Sequence, residues 1–79
     1  MVDEERQVIL NRIAGHMRSL RSSKGVTQEA VAHRAGLVLR HYQKIEAAEV
    51  NVTINSLIKV AAALDVDVSA LLRALERDQ

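Results

Sequence analysis

Gln43 and Lys44 follow Arg40 by three and four residues, so these polar side chains share one face if the segment is helical. Guanidinium and ammonium groups can donate to O6 and N7 of guanine, and a glutamine amide can pair with adenine. The adjacent Val38 and Leu39 could contact a groove edge and a thymine methyl. We therefore treat these five residues as candidate base-reading groups. On an arbitrary helix the polar residues would form only a solvated face, and Leu39 could equally be a packing residue.

The segment from Gln28 to Ala47 has the pattern of two helices that cross at a tight turn. Ala32 is small where the two helices would approach most closely, and Gly36 stands where the chain must leave the first of them. The residues of the inward face would be Val31, Ala35, Leu37, Tyr42 and Ile45. The candidate base-reading groups then lie at the start of the second helix, the part that enters the major groove in a helix-turn-helix.

Helices are the expected secondary structure throughout, because the chain has no proline, one aromatic residue and apolar residues at three- and four-residue spacings. We predict an all-α fold of five helices without a sheet. The first helix covers about residues 4–23, with Asp3 as its N-cap, and Lys24 and Gly25 close it. Its inward face would be Ile9, Ile13, Met17 and Leu20.

Three more helices are predicted after Gly36. The third covers about residues 39–47, and the fourth begins after the N-cap Thr53 and stops near Asp65. Its buried stripe would be Ile54, Leu57, Ile58, Ala61 and Leu64. Asp67 caps the last helix, whose apolar residues are Val68, Leu71, Leu72 and Leu75. This apolar face is wider than packing on one neighbour requires, so it predicts a contact with another chain.

The length and composition of the chain predict one small domain, residues 1–79. We expect residues 1–8 to form an N-terminal extension of the first helix. A chain of this size buries about 60% of the surface that its unfolded state exposes, so dimerisation would add stability. The absence of cysteine suits a reducing compartment. The acidic start is unlike a signal peptide, and no apolar run is long enough to span a bilayer. We expect a cytoplasmic protein without a membrane partner.

Catalysis, metal binding and cofactor binding have little support in the sequence. The three histidines, His16, His33 and His41, lack the i, i+4 spacing of a zinc site, and the chain has no cysteine to complete one. No serine has a recognisable base partner, and no glycine-rich phosphate loop occurs. The net charge of +1 is low for a nucleic-acid binder, so any such function depends on where the charges lie.

The run from Gly25 to Leu72 closely resembles the five-helix, lambda-repressor-like DNA-binding domain of phage repressors, Cro proteins and their XRE-like bacterial relatives. The matching features are Thr27-Gln28-Glu29, Ala35-Gly36, Ile45-Glu46, Leu57…Ala61…Leu64 and Val66…Leu71-Leu72. The segment from Asn51 to Leu57 also looks like the controller proteins of restriction-modification systems, which are compact dimeric regulators of this family. The family often has glycine where this chain has Ala48.

This resemblance implies how the DNA backbone is held. A glutamine at the place of Gln28 contacts the backbone in the related repressors, and free amides at a helix start favour phosphate. Controller proteins use the positions that match His41 and Asn51 in the same way. The candidate phosphate contacts are therefore Gln28, His41 and Asn51, together with the N-cap residues Thr27 and Thr53.

Arg21 and Glu46 match an arginine and a glutamate that form a largely buried ion pair between the first and third helices of the phage repressors. The resemblance therefore implies a structural role for this pair. It does not imply base reading by either residue.

The function that these features predict is sequence-specific binding of double-stranded DNA by a transcriptional regulator, which acts as a homodimer on a pseudo-palindromic operator. A restriction-modification controller is the narrower expectation, and RNA polymerase is a candidate further partner. The protein would then be bacterial or from a phage and associated with the nucleoid. The candidate dimer residues are Val50, Val52, Leu72 and Leu75. The alternative is an antitoxin-like or adaptor-like module that uses the same fold to bind a protein.

Overall fold

A computed structural model describes residues 2–76, without the side chains of Val2 and Ala74, and this part of the chain is helical with no strand. Met1, the first residue of the predicted N-terminal extension 1–8, lies outside the described residues. The helices are α1 (Val2–Ser23), α2 (Gln28–Ala35), α3 (Leu39–Glu46), α4 (Ile54–Ala63), α5 (Val68–Leu72) and a closing 3₁₀ helix (Arg73–Leu75). The prediction of an all-α, five-helix fold is confirmed.

Three of the predicted N-caps make the hydrogen bonds expected of them. The hydroxyl of Thr27 accepts from the amide of Ala30 at 3.0 Å, and the hydroxyl of Thr53 accepts from the amide of Ser56 at 3.0 Å. The carboxylate of Asp67 accepts from the amide of Ser69 at 2.9 Å. Each bond satisfies an amide that has no carbonyl partner within its helix.

The prediction that Asp3 caps α1 is wrong. The helix already includes Val2, and Asp3 lies in its first turn, where its carboxylate is 3.0 Å from the guanidinium of Arg6. A carboxylate is favourable anywhere near a helix start, so its presence does not specify the cap position. The last helix also differs, because α5 ends at Leu72 and the chain continues as a 3₁₀ helix.

The first four helices end with one residue in the left-handed conformation, namely Gly25, Gly36, Ala48 and Asp65. At the end of α2, the amide of Leu37 donates to the carbonyl of Ala32 at 2.9 Å, as in a Schellman motif. Glycine adopts this conformation without strain, whereas alanine and aspartate carry a Cβ there. Ala48 stands where the related repressors often have glycine.

The core lies where α2 crosses α3 and α4, with α1 and α5 closing its sides. The fully buried large side chains include Met17, Val31, Tyr42, Leu64 and Leu71. Predicted inward residues of α1 and α4 are only partly correct. Ile9, Ile54 and Ile58 are 43%, 63% and 49% exposed, so they belong to the surface of this chain. Of the three, Ile9 and Ile54 line the apolar groove described below.

Replacing Gly36 with alanine is expected to lower the free energy of unfolding by about 1–2 kcal/mol. Gly36 has a φ of +70°, and a Cβ at this position would meet nothing within 4 Å, so the cost is backbone strain alone. The matched change Gly15→Ala lies inside α1, where it should raise the free energy of unfolding by about 0.5–1 kcal/mol. Urea denaturation measures both. Equal effects of the two substitutions would contradict the left-handed turn at Gly36.

Candidate nucleic-acid interface

The third helix separates its residues cleanly between core and solvent. Tyr42, Ile45 and Glu46 are buried, with Ile45 4% exposed and Glu46 2% exposed. The opposite side carries exposed polar residues, which are Arg40, His41, Gln43 and Lys44. The buried face fixes the helix on the domain, and the exposed face is free to contact another molecule.

A shallow concave surface lies beside this exposed face. Its lining residues are Gln28, Leu39, Arg40, Gln43, Lys44, Ala47 and Glu49. The structure thus brings together four of the five candidate base-reading residues. Val38, the fifth, is the N-cap residue of α3. Its side chain makes no capping hydrogen bond and is 73% exposed. Leu39 is half-buried and packs against the core, so it contributes to both the core and the surface.

Glu49 lies on the same concave surface, and sequence reasoning assigned it no role. Its carboxylate is exposed and comes three residues after the buried Glu46. An acidic side chain repels phosphate, so Glu49 restricts how closely a DNA backbone can approach this end of α3. Only knowledge of where α3 ends could have placed Glu49 here.

The candidate phosphate contacts lie at separate places. Thr27 caps α2, and Gln28 follows it in the first turn of that helix. The hydroxyl of Thr53 accepts from one atom of Ser56 and donates to another, so it is already engaged within the cap. His41 is exposed on α3. Asn51 lines a different groove, between α1 and the last helical turns, and is not part of the concave surface.

Arg21 and Glu46 form an ion pair that joins α1 to α3. The Nε atom of Arg21 lies 2.7 Å from Oε2 of Glu46, and its Nη2 atom lies 3.2 Å from Oε1. The Glu46 side chain is 2% exposed and that of Arg21 is 21% exposed. This two-point geometry is the strong form of an arginine–carboxylate contact. It holds α3 at a fixed position against α1.

Three further side chains complete this joint, and their spacing along the chain does not indicate that they meet there. The hydroxyl of Tyr42 donates to Oε2 of Glu46, and Nε2 of Gln28 donates to Oε1 at 2.9 Å. Arg18 donates to the main-chain carbonyl of Glu46. Every buried side-chain nitrogen and oxygen in the described residues has a hydrogen-bond partner. The carboxylate of Glu46 is therefore buried but fully compensated.

The ionisation states within this joint follow from burial and hydrogen bonding. Burial raises the pKa of the Glu46 carboxyl, but hydrogen bonds from Arg21, Tyr42 and Gln28 outweigh burial and bring the pKa below its ordinary value of 4.5. Burial, together with the hydrogen bond to Glu46, raises the pKa of the Tyr42 phenol well above its ordinary value of 10.0. Glu46 is therefore ionised and Tyr42 is neutral at physiological pH.

An apolar groove lies between α1, the start of α4 and the C-terminal turns. Its lining includes Ile9, Val52, Ile54, Leu72 and Leu75, with Glu5 and Arg6 at its edge. Three of the candidate dimer residues are thus at one place. Val50, the fourth, is half-buried against the core and does not line the groove. Sequence reasoning missed Ile9 and Ile54 here, because it assigned both to the core.

Neither a membrane-spanning helix nor a metal-binding cluster is found in the described part of the chain. Residues 2–76 contain no helix long and apolar enough to cross a membrane. The same residues contain no cluster of three or more histidine or acidic side chains that could hold a metal ion.

A helix-turn-helix family model matches residues 17–71, which is more than half of the chain. This protein therefore belongs to the helix-turn-helix family. The match includes the turn between α2 and α3 and all the residues of the concave surface.

Solved structures similar to this chain include two restriction-modification controller proteins. C.AhdI from Aeromonas hydrophila is 32% identical, with a TM-score of 0.76 over 78% of this chain and 94% of that chain. C.Esp1396I is 25% identical, with a TM-score of 0.76 over 90% of this chain and 96% of that chain. A hypothetical transcription factor from Neisseria, NHTF, is 33% identical, with a TM-score of 0.78 over 85% of this chain and 77% of that chain. No curated protein matches the sequence.

Proposed function

We propose that this protein is a transcriptional regulator that binds a specific double-stranded DNA sequence as a homodimer. The observation that carries the proposal is the exposed polar face of α3, where Arg40, Gln43 and Lys44 line one concave surface. The names of the similar proteins, which are controllers of restriction-modification systems and a transcription factor, support the same function.

Recognition follows from the placement of α3. A helix fits the major groove of B-DNA, where every base pair presents its own pattern of donors and acceptors. Arg40 and Lys44 would donate to guanine, Gln43 would pair with adenine, and Leu39 and Val38 would contact apolar groups at the groove edge. Backbone amides at the starts of α2 and α4, beside Gln28 and Thr53, would bind phosphates and set the register. His41 would add a phosphate contact on α3, and Asn51 would add one from the loop before α4.

The apolar groove and its surroundings are the proposed dimer interface, with a second copy of this chain as the occupant. One helix-turn-helix reads about half of a typical operator, and two copies related by a two-fold axis place their recognition helices about 34 Å apart. Ile54, Ile9 and Leu75 are exposed, and large exposed apolar side chains that lie together mark an interaction site. The interface would leave α3 free to enter the groove.

Ile54→Asp is expected to prevent dimer formation without unfolding the chain. A buried charge disfavours association, while an acidic residue in the first turn of α4 is compatible with the helix dipole. The neighbouring Asn55→Asp adds the same charge at an exposed position, so it serves as the control. Sedimentation velocity should give a monomer for Ile54→Asp and a dimer for wild-type protein and Asn55→Asp. A dimeric Ile54→Asp variant would place the interface elsewhere.

The narrower proposal is control of restriction-modification genes, with repression or activation decided by the position of the operator relative to RNA polymerase. The chain is similar to two such controllers over most of the length of each. RNA polymerase would then be a partner only where the operator lies beside its promoter. Such a regulator acts in the bacterial cytoplasm, on nucleoid or phage DNA.

Selection from a random duplex library at about 0.15 M salt tests the proposed function, because non-specific phosphate binding is weak there while base reading persists. Enrichment of a two-fold symmetric sequence is the expected result, and it would also supply the operator. No enrichment by a folded dimer would refute sequence-specific binding and favour the protein-binding alternative.

A further inference from the structure

We propose that Gln28 is a positioning residue, oriented by the buried Glu46, which fixes the amide of Gln43 so that it selects adenine. The inference rests on the proposed function, because it concerns the base that Gln43 reads. It assigns a part in sequence selection to two residues that otherwise serve the phosphate backbone and the fold.

The first step concerns the carboxylate of Glu46. While it is ionised, this group accepts hydrogen bonds and cannot donate them. Its Oε1 atom lies 2.9 Å from the side-chain nitrogen of Gln28. A carboxylate excludes the opposite orientation of this amide, because two oxygen acceptors would then face each other. The nitrogen of Gln28 is therefore directed inward and its oxygen is directed away from Glu46.

The second step passes this orientation to the recognition helix. The side-chain oxygen of Gln28 accepts from Nε2 of Gln43 at 3.3 Å. An amide oxygen can only accept, so Gln43 must present its nitrogen to Gln28. The charge on Glu46 thus determines the orientation of two successive amides. Hydrogen-bonded chains of this kind polarise each other and strengthen each bond.

The third step is the choice of base. With one N–H bonded to Gln28, the Gln43 amide retains its oxygen as an acceptor and one further N–H as a donor. Adenine offers the complementary N6 donor and N7 acceptor, whereas guanine offers two acceptors, O6 and N7. The fixed oxygen of Gln43 would face the O6 acceptor of guanine. The arrangement therefore selects adenine against guanine.

Gln28→Leu tests the inference by removing both hydrogen bonds of the relay while retaining an apolar stem of similar length. The base read by Gln43 is first identified as the operator position whose preference disappears in Gln43→Ala. Binding constants are then measured for duplexes that carry adenine or guanine at that position. We expect Gln28→Leu to reduce the preference for adenine by about tenfold, because the Gln43 amide is then free to flip.

His41→Ala is the control, since His41 is a proposed phosphate contact on the same helix. Loss of a phosphate contact weakens binding to all sequences equally and leaves base preference unchanged. If Gln28→Leu behaves like His41→Ala, with uniform weakening only, the positioning role is refuted while the proposed function stands. If the wild-type protein selects no operator, both the positioning role and the proposed function are refuted.

A second variant and a DNA-free measurement guard against misfolding. Gln28→Ala removes the same bonds with a residue that favours helices, so it replaces Gln28→Leu if that variant does not fold. In DNA-free protein, the side-chain ¹⁵N–¹H resonances of Gln43 should shift in either variant. Unchanged resonances would mean that Gln28 does not hold the Gln43 amide, and the inference would fail.

Discussion

The double variant Arg40→Ala/Lys44→Ala is expected to lose specific operator binding while it remains folded and dimeric. Each such base contact contributes about 1–3 kcal/mol of discrimination, so the two together are worth roughly thirtyfold to twenty-thousandfold in affinity. Both side chains are exposed, and alanine favours helix formation, so α3 should persist. Titration of the selected operator by fluorescence anisotropy at about 0.15 M salt measures the loss.

The control for this result removes the same amount of charge from elsewhere on the surface. Arg12 on α1 and Lys59 on α4 are exposed and do not line the concave surface. The variant Arg12→Ala/Lys59→Ala should keep the operator preference, with only the modest weakening that lower net charge causes. Equal losses in the two double variants would show general electrostatic attraction in place of base reading. Operator binding that survives without Arg40 and Lys44 would refute the groove contact of α3.

Glu46→Ala is expected to lower the free energy of unfolding by about 3–5 kcal/mol, which is a large part of the stability of a domain this small. The substitution leaves the guanidinium of Arg21, the phenol of Tyr42 and the amide of Gln28 without their common acceptor. Arg21 is partly exposed and can recover some hydration, so the lower end of this range is favoured. Urea denaturation at neutral pH measures the change.

A double-mutant cycle separates the ion pair from general damage to the core. Arg21→Met removes the cation and leaves a buried carboxylate, so it should also destabilise strongly, whereas Arg21→Met/Glu46→Leu should cost less than the sum of the single changes. Additive losses would mean that the two side chains do not interact. Glu49→Ala removes a carboxylate from an exposed position nearby and should change stability by less than about 0.5 kcal/mol.

The carboxylate of Glu46 makes the stability of the fold depend on pH. The pKa of Glu46 is lower in the folded protein than its ordinary value of 4.5, so its contribution is present above pH 4.5 and is lost as the pH falls toward the folded pKa. Glu46→Gln should therefore show a weaker loss of stability on acidification than wild-type protein does. Parallel acid titrations of the two proteins would contradict this assignment.

The local features of the fold were predictable because they depend on neighbouring residues in the chain. Thr27, Thr53 and Asp67 each precede a helix at the position where a short polar side chain caps free amides. Gly36 marks the turn because glycine adopts a left-handed conformation readily. Ala48 and Asp65 adopt the same conformation without being glycine, so residue type alone did not identify them.

Apolar faces were predicted less well. The spacing of Ile54 and Ile58 with Leu57 and Ala61 indicates an apolar stripe on α4, but it does not state which part of that stripe meets this chain's own core. Leu57 and Ala61 are buried in the core, whereas Ile54 and Ile58 are 63% and 49% exposed. A surface that is used for association has the same composition as a core, so a single sequence cannot separate the two.

The residues of the candidate site could be predicted from the sequence, but the hydrogen bonds between them could not. Arg40, Gln43 and Lys44 follow from helix spacing, and Arg21 and Glu46 follow from the family resemblance. The bonds that join Gln28 to both Glu46 and Gln43 depend on how α2 and α3 cross. Residues far apart in the chain meet there, and nothing in their spacing indicates the distance between them.

Tyr42 is the only aromatic residue of the chain, and it is completely buried beside Glu46. All near-ultraviolet absorption and intrinsic fluorescence of the protein therefore arises from one phenol at the joint between α1 and α3. Its near-ultraviolet circular dichroism reports tertiary packing at that single point, independently of the helical signal in the far ultraviolet. Optical spectroscopy can thus follow the seating of the recognition helix in unlabelled protein, with no second chromophore to obscure it.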